Sequence, residues 1–289
     1  MRTDLLVIDP QNSFCKVIDS SEQQTLHDGE LFVPGAPEAM RRLATLIDRL
    51  GDAIDDIHIT MDSRHLLHIS HPLWFKDTSG NPPPAFTSIR LEGERIVGSR
   101  TGARKKQVDI GEFVGFLPSV HRRTVVYLQK LAEQNRYRHF IWPPHCLIGT
   151  ACHGIQADLM NAVLTWEAQQ HAAANYVTKG SNHFVEHFSA IAAEVPDPTD
   201  PSTGMNTDLL NTLMDADRIL VAGVGRASSL ADTLVDAASA FAGQAFARKC
   251  LLLDDCVAVD ESSRSHFRNV TEQLEKQGMK TVASSEFTS

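Results

Sequence analysis

The chain has 289 residues, 42% hydrophobic and 22% charged, a balance that lets a globular protein bury a sizeable core and argues against disorder. A formal net charge of −9 and a pI near 5.8 argue against a polyanionic partner, so nucleic-acid binding is not expected. The five cysteines (Cys15, Cys146, Cys152, Cys250, Cys256) are odd in number, lack metal-type pairing and follow no secretory signal, which predicts a cytoplasmic protein without a membrane segment.

In chain order, residues 5–9 read as a strand, because Leu5 to Ile8 form an apolar run without alternation, the pattern of a strand buried on both faces of a parallel sheet. Pro37 then opens a helix with Met40, Leu43, Ile47 and Leu50 at helical spacing, and residues 57–61 read as a second strand. From Lys76 to Arg123, the Pro82-Pro83-Pro84 run, scattered glycines and mixed charge predict a long surface insertion, a lid candidate. Its basic run of Arg100, Arg104, Lys105 and Lys106 reads as a solvated loop. A helix over 124–135, with Val125, Val126, Leu128, Leu131 and Ala132, docks back onto the body.

Strands at 140–142 and 175–178 flank a helix bearing Leu159, Ala162, Val163 and Trp166, and strands at 219–224 and 250–254 complete a set of six. Ser228 or Ser229 caps a helix running to about Ala242, and Ser262 or Ser263 caps one ending before Gly278. The alternation of strands and helices predicts one α/β domain over 1–289, with the insertion at about 76–123. Its architecture is a three-layer α/β/α doubly wound sandwich on a six-stranded, mainly parallel sheet.

Ligands of such sheets bind beyond the carboxyl ends of the strands. Those ends read Asp9-Pro10-Gln11-Asn12, Asp62-Ser63-Arg64-His65, Trp142-Pro143-Pro144-His145-Cys146 and Lys179-Gly180. The fifth strand runs through Gly223-Val224-Gly225-Arg226-Ala227-Ser228-Ser229, a small-residue turn opening a helix where N–H groups can converge on an anion. Singly, each has a plain structural reading: an Asp capping a turn, a Lys-Gly pair ending a strand, a glycine turn packing tightly.

Jointly they resemble a known family. The opening Leu5-Leu6-Val7-Ile8-Asp9-Pro10-Gln11-Asn12-Ser13-Phe14, Asp62 with its following histidines, Trp142 to Cys146, and Val177-Thr178-Lys179-Gly180 appear in the order found in the isochorismatase-like hydrolases. These include nicotinamidases and related carbon–nitrogen amidohydrolases, and the resemblance covers nearly the whole chain apart from the insertion. It implies Asp9 as general base and acid and Lys179 as the stabiliser of a charged transition state. It also implies an oxyanion-binding turn with a non-proline cis peptide around Val224, Gly225 and Ser228, and a homo-oligomer acting on a small-molecule substrate. Gln11, Phe14 and Arg64 are the expected substrate contacts, Phe14 by stacking on an aromatic ring.

Two positions depart from the family pattern. The nucleophilic cysteine falls at Ser229, whose hydroxyl needs a well-placed base. The first metal-binding histidine falls at Arg64, leaving Asp62, His65 and His145 as candidate ligands for a divalent metal such as Zn or Mn. The alternative is that Arg64 puts its fixed charge in the metal's place or grips a substrate carboxylate; His68 and His71 read as loop hydrogen-bonding residues, and no organic cofactor is expected. Three functions follow: an amide hydrolase using Asp9, Lys179 and Ser229; a metal-independent vinyl-ether hydrolase driven by Asp9 alone; and a non-catalytic ligand-binding member.

Overall fold

The computed structural model describes residues 1–19, 24–102, 106–226, 228–241 and 244–288. Its first strand, β1 (Thr3–Ile8), is buried at every residue. Leu5 and Val7 enter one apolar cluster and Leu6 and Ile8 another, as a strand covered on both faces requires. A hairpin of β2 (Lys16–Asp19) and β3 (Gln24–Asp28) follows, then helix α1 (Ala36–Leu50), β4 (Asp56–Asp62) and the short β5 (Phe75–Lys76). Next come β6 (Thr87–Glu92), β7 (Arg95–Thr101), β8 (Gln107–Gly115), α2 (Pro118–Gln134) and β9 (His139–Ile141). The remainder holds α3 (Ala157–Gln170), β10 (Asn175–Lys179), α4 (Thr207–Asp215), β11 (Arg218–Gly225) and α5 (Ser229–Ala240). It ends with α6 (Gln244–Lys249), β12 (Cys250–Val259), α7 (Arg264–Gln277) and β13 (Lys280–Val282).

The main sheet is six-stranded and parallel throughout, in the order β10-β4-β1-β11-β12-β13. On one face Met40, Leu43 and Ile47 of α1 join Leu159, Val163 and Trp166 of α3. On the other, Leu230 and Leu234 of α5 pack with Phe246 of α6 and Leu274 of α7. This is the expected three-layer doubly wound sandwich. Its register sets the site, since β10 and β4 pair so that Lys179 faces Asp62, and β1 and β11 pair so that Ile8 faces Gly223. At Gly223 (φ 130) a Cβ would lie 2.2 Å from the Ile8 carbonyl oxygen, so only glycine lets the two strands close up there.

Two expectations are corrected. Residues 140–142 do not join the main sheet; β9 pairs antiparallel with β6 in a second, five-stranded sheet ordered β5-β8-β7-β6-β9. The sixth place in the main sheet belongs to β13, a short edge strand whose Lys280 and Thr281 are exposed and carry no apolar signal. Nor is 76–123 a bare loop. It supplies most of the second sheet, which with α2 encloses its own apolar cluster of Trp74, Ile89, Ile96, Phe113, Leu128 and Ile141. The mixed charge that reads as loop is the outer face of that sheet, where Arg90 pairs with Asp109 at 2.9 Å across the strands. Arg104, Lys105 and Ala242 lie outside the described residues, and α5 ends at Ala240. Among the described residues, no helix is long and apolar enough to cross a membrane.

Candidate active site

Strand β1 delivers Asp9 one residue past its end, in the left-handed region (φ 45), which Asp tolerates better than most residues. Thr60 of β4 fixes it twice: its hydroxyl accepts the Asp9 N–H at 3.0 Å and donates to Asp9 Oδ1 at 2.7 Å. The other carboxylate oxygen, Oδ2, lies 3.0 Å from Lys179 Nζ, with both side chains 2% exposed. Burial disfavours the Lys179 ammonium, but Asp9 and then Asp62 outweigh it and raise the group above its ordinary value. Lys179 therefore stays charged.

Asp62 is the hub of a second set of charges. Its Oδ2 accepts from Arg64 Nε at 2.8 Å and lies 3.3 Å from His145 Nε2, while Oδ1 lies 3.9 Å from Lys179 and has no hydrogen-bond partner among the described residues. Burial alone would raise Asp62, yet Arg64, Lys179 and His145 hold it well below the usual carboxylate range. Gly180 (φ 82) permits this approach, because a Cβ there would sit 2.6 Å from Asp62 Oδ1. Arg64 is itself buried, donating to Ser70 Oγ at 2.8 Å, with Nη1 2.8 Å from Glu186 Oε2 in an ion pair whose angles fall outside hydrogen-bond geometry.

Ser229 opens α5, and its hydroxyl donates to the Val224 carbonyl at 3.4 Å. Asp9, Asp62, Arg64, His145, Lys179 and Ser229 line one inner pocket of about 10 Å³, walled by Phe14, Leu31, Trp142, Phe188 and Arg226. No cysteine lines it. Burial pushes the Cys15 thiol up to about 12 and Cys146 well above its ordinary value, so neither is a ready nucleophile.

No family model and no curated protein matches the chain. Among solved structures, the yeast nicotinamidase superposes with a TM-score of 0.59 at 19% identity, covering 98% of this chain and 99% of that one. The Acinetobacter baumanii nicotinamidase/pyrazinamidase gives 0.58 at 18%, covering 99% and 97%, and a Pyrococcus horikoshii pyrazinamidase in complex with zinc gives 0.51 at 16%, covering 98% and 99%. The chain shares the fold of these nicotinamidases and pyrazinamidases.

On this scaffold, the oxyanion expectation for Val224, Gly225 and Ser228 is not met as drawn. The Ser228 N–H donates to Ser263 Oγ at 3.2 Å and the Ser229 N–H to the Arg226 carbonyl at 3.1 Å, so both have internal acceptors. Val224 and Gly225 are paired within the main sheet, no cis peptide occurs among the described residues, and Ala227 lies outside them. Gln11 is corrected from substrate contact to strap: its amide accepts the Asp62 N–H at 2.7 Å and donates to the Asp62 and His153 carbonyls at 2.8 and 2.9 Å. Phe14 does line the pocket, its ring 6.2 Å from His145.

The residues present do not fit a divalent ion. Arg64 already sets a fixed cation against Asp62, and His65 is exposed and packs edge-on against His183, one residue's turn away from the pocket. His68 and His71 do serve the loop, through Ser70 and the Leu66 carbonyl, and burial pushes His71 down to about 3. The one described group whose ligand atoms converge, Asp4, Asp56 and His58, lies at the opposite end of the sheet, where Arg2 pairs with both acids. Sequence reasoning missed Glu186 and Phe188, and gave no role to Trp142 and Arg226, although Trp142 heads a quoted strand-end segment. Arg226 sits inside the quoted strand-five turn, whereas Glu186 belongs to a long connection without periodicity and carries no such signal.

Proposed function

We propose that the chain is a metal-independent hydrolase of small-molecule amides or related carbon–nitrogen bonds, working through Asp9, Lys179 and Ser229. The observation that carries this is the buried Lys179–Asp9 pair at 3.0 Å opening on the same pocket as Ser229. Asp9 takes the proton of the Ser229 hydroxyl as its oxygen attacks the amide carbon, and returns that proton to the nitrogen as the carbon–nitrogen bond breaks. This route requires the Ser229 hydroxyl, which donates to the Val224 carbonyl, to turn toward Asp9. Lys179 offsets the negative charge on the tetrahedral oxygen, helped by the positive end of α5 at Ser229. Water then releases the acyl group by the same route. In this reading the chain is one domain, cytoplasmic and self-associating, whose second sheet forms the rim of the site.

The test is ammonia release from small aromatic amides. Asp9→Asn should lower kcat by about 10³- to 10⁴-fold with the fold intact. Substantial residual activity in that variant would overturn the assignment.

A second reading, acid-catalysed vinyl-ether hydrolysis by Asp9, is favoured by one observation: the Ser228 and Ser229 N–H groups are engaged internally and Ser229 Oγ is turned to Val224. Ser229 separates the two. Under amide hydrolysis Ser229→Ala loses roughly 10²-fold or more, whereas under vinyl-ether hydrolysis it keeps most of its activity.

A further inference from the structure

The inner pocket, at about 10 Å³, has room for little more than a reacting carbonyl group. It adjoins an outer cavity of about 740 Å³, and the two share the walls Trp142, Phe188 and Arg226. A substrate that reaches Asp9 therefore leaves its bulk in the outer cavity, a volume suited to a ligand of many atoms. The aromatic rings of Phe86, Tyr137 and Phe140 add flat apolar wall there.

The charges of the outer cavity do not cancel. Glu261 pairs with Arg264 at 2.7 Å, and Asp260 pairs with Arg226 at 3.2 Å while accepting the Ser262 hydroxyl at 2.6 Å. Arg100, from β7, and Arg138, just before β9, also line the cavity and have no acidic partner among the described residues. In a chain of net charge −9 this leaves a local excess of fixed positive charge facing one cavity. At the neck, Arg226 lies over the Trp142 ring at 5.4 Å, and its buried Nε has no acceptor among the described residues.

We infer that the substrate is an elongated aromatic amide with an anionic group, carboxylate or phosphate, at the end remote from the scissile bond. The ring lies at the Trp142–Phe188 neck and the anion meets Arg100 and Arg138, whose forked donors suit either oxyanion. This deepens the amidohydrolase reading and rests on it for the word amide; the anion preference of the cavity rests on geometry and charge alone.

The experiment is calorimetric binding of uncleavable biphenyl methyl ketones to the full chain, the distal ring carrying a carboxylate, a phosphonate or a methyl ester. At least one anionic probe should bind about 10-fold or more tightly than the ester, and the Arg100→Gln/Arg138→Gln double variant should reduce that ratio to within about 3-fold. The carboxylate and phosphonate arms distinguish the two sources of anion. Equal binding of ester and anions, no binding of any probe, or a ratio unchanged in the double variant overturns the inference. The matching amides are assayed for ammonia in parallel: anion-selective binding without turnover sustains the cavity assignment and counts against the amidohydrolase reading.

Discussion

At the amino end of the main sheet, Arg2 bridges Asp4 and Asp56 at 3.0 and 3.4 Å, with His58 Nε2 3.2 Å from Asp4; at the carboxyl end, Arg64 bridges Asp62 and Glu186, each at 2.8 Å, with His145 Nε2 3.3 Å from Asp62. The residue types are nearly the same and the same two strands, β1 and β4, feed both ends. What differs is exposure and satisfaction. Arg2 is 38% exposed and Arg64 2%, and both Asp4 oxygens accept hydrogen bonds, whereas Asp62 Oδ1 and both Glu186 oxygens lack one among the described residues. The carboxyl end adds a buried ammonium and a pocket. Charged clusters of like composition thus separate by whether polar capacity is left over beside a cavity, which is where functional sites are found.

The largest expected effect is on chemistry. Lys179→Met, like Asp9→Asn, should lower kcat by about 10³-fold or more, while Asp4→Asn at the other end should leave kcat within about 3-fold; steady-state ammonia release measures both. Comparable losses at the two ends would break the contrast.

Stability comes next. Arg64→Ala leaves Asp62 and Glu186 buried without their cation and should cost roughly 3–5 kcal/mol, read by urea unfolding. Arg2→Ala removes a half-exposed partner screened by water and should cost about 1 kcal/mol or less. A smaller loss for Arg64→Ala than for Arg2→Ala would show that the buried bridge is not structural.

A third carboxyl sharpens the point about cations. Burial pushes Glu194 up to about 8, with Arg136 opposing this and Asp232 and Asp236 adding to it, the reverse of Asp62. Because the folded chain holds this proton more tightly than the unfolded one, the stabilisation is complete below the ordinary Glu value and is lost as pH rises through about 8. Glu194→Gln should therefore unfold at higher urea than the parent at about pH 9, by on the order of a few kcal/mol more than at about pH 5. An identical pH slope in the two proteins would remove Glu194 from the account.

Much of this was legible in the sequence, for a physical reason: a parallel strand is an unbroken apolar run, so the first polar residue after it marks the sheet's carboxyl end. Asp9, Asp62 and Lys179 stand out that way, whereas Ser229 is singled out only by the family resemblance. The direction of a side chain after the strand is not encoded so simply. Arg64 turns inward and His65 outward, and Gln11 is drawn into strapping Asp62 to His153, contacts far away in the chain. The second sheet was hidden because its outer face is charged, so Arg90, Arg95, Asp109 and Glu112 read as loop until their cross-strand partners are known. Glu186 becomes a site residue only through Arg64, and nothing in its own neighbourhood announces it.

The most direct test of the central claim is ammonia release from aromatic amides by chelator-treated protein, with Asp9→Asn assayed beside it. The account predicts that the parent chain retains full activity after chelation and that the variant has almost none. Activity that returns only with an added divalent ion, or that survives in the variant, would contradict it.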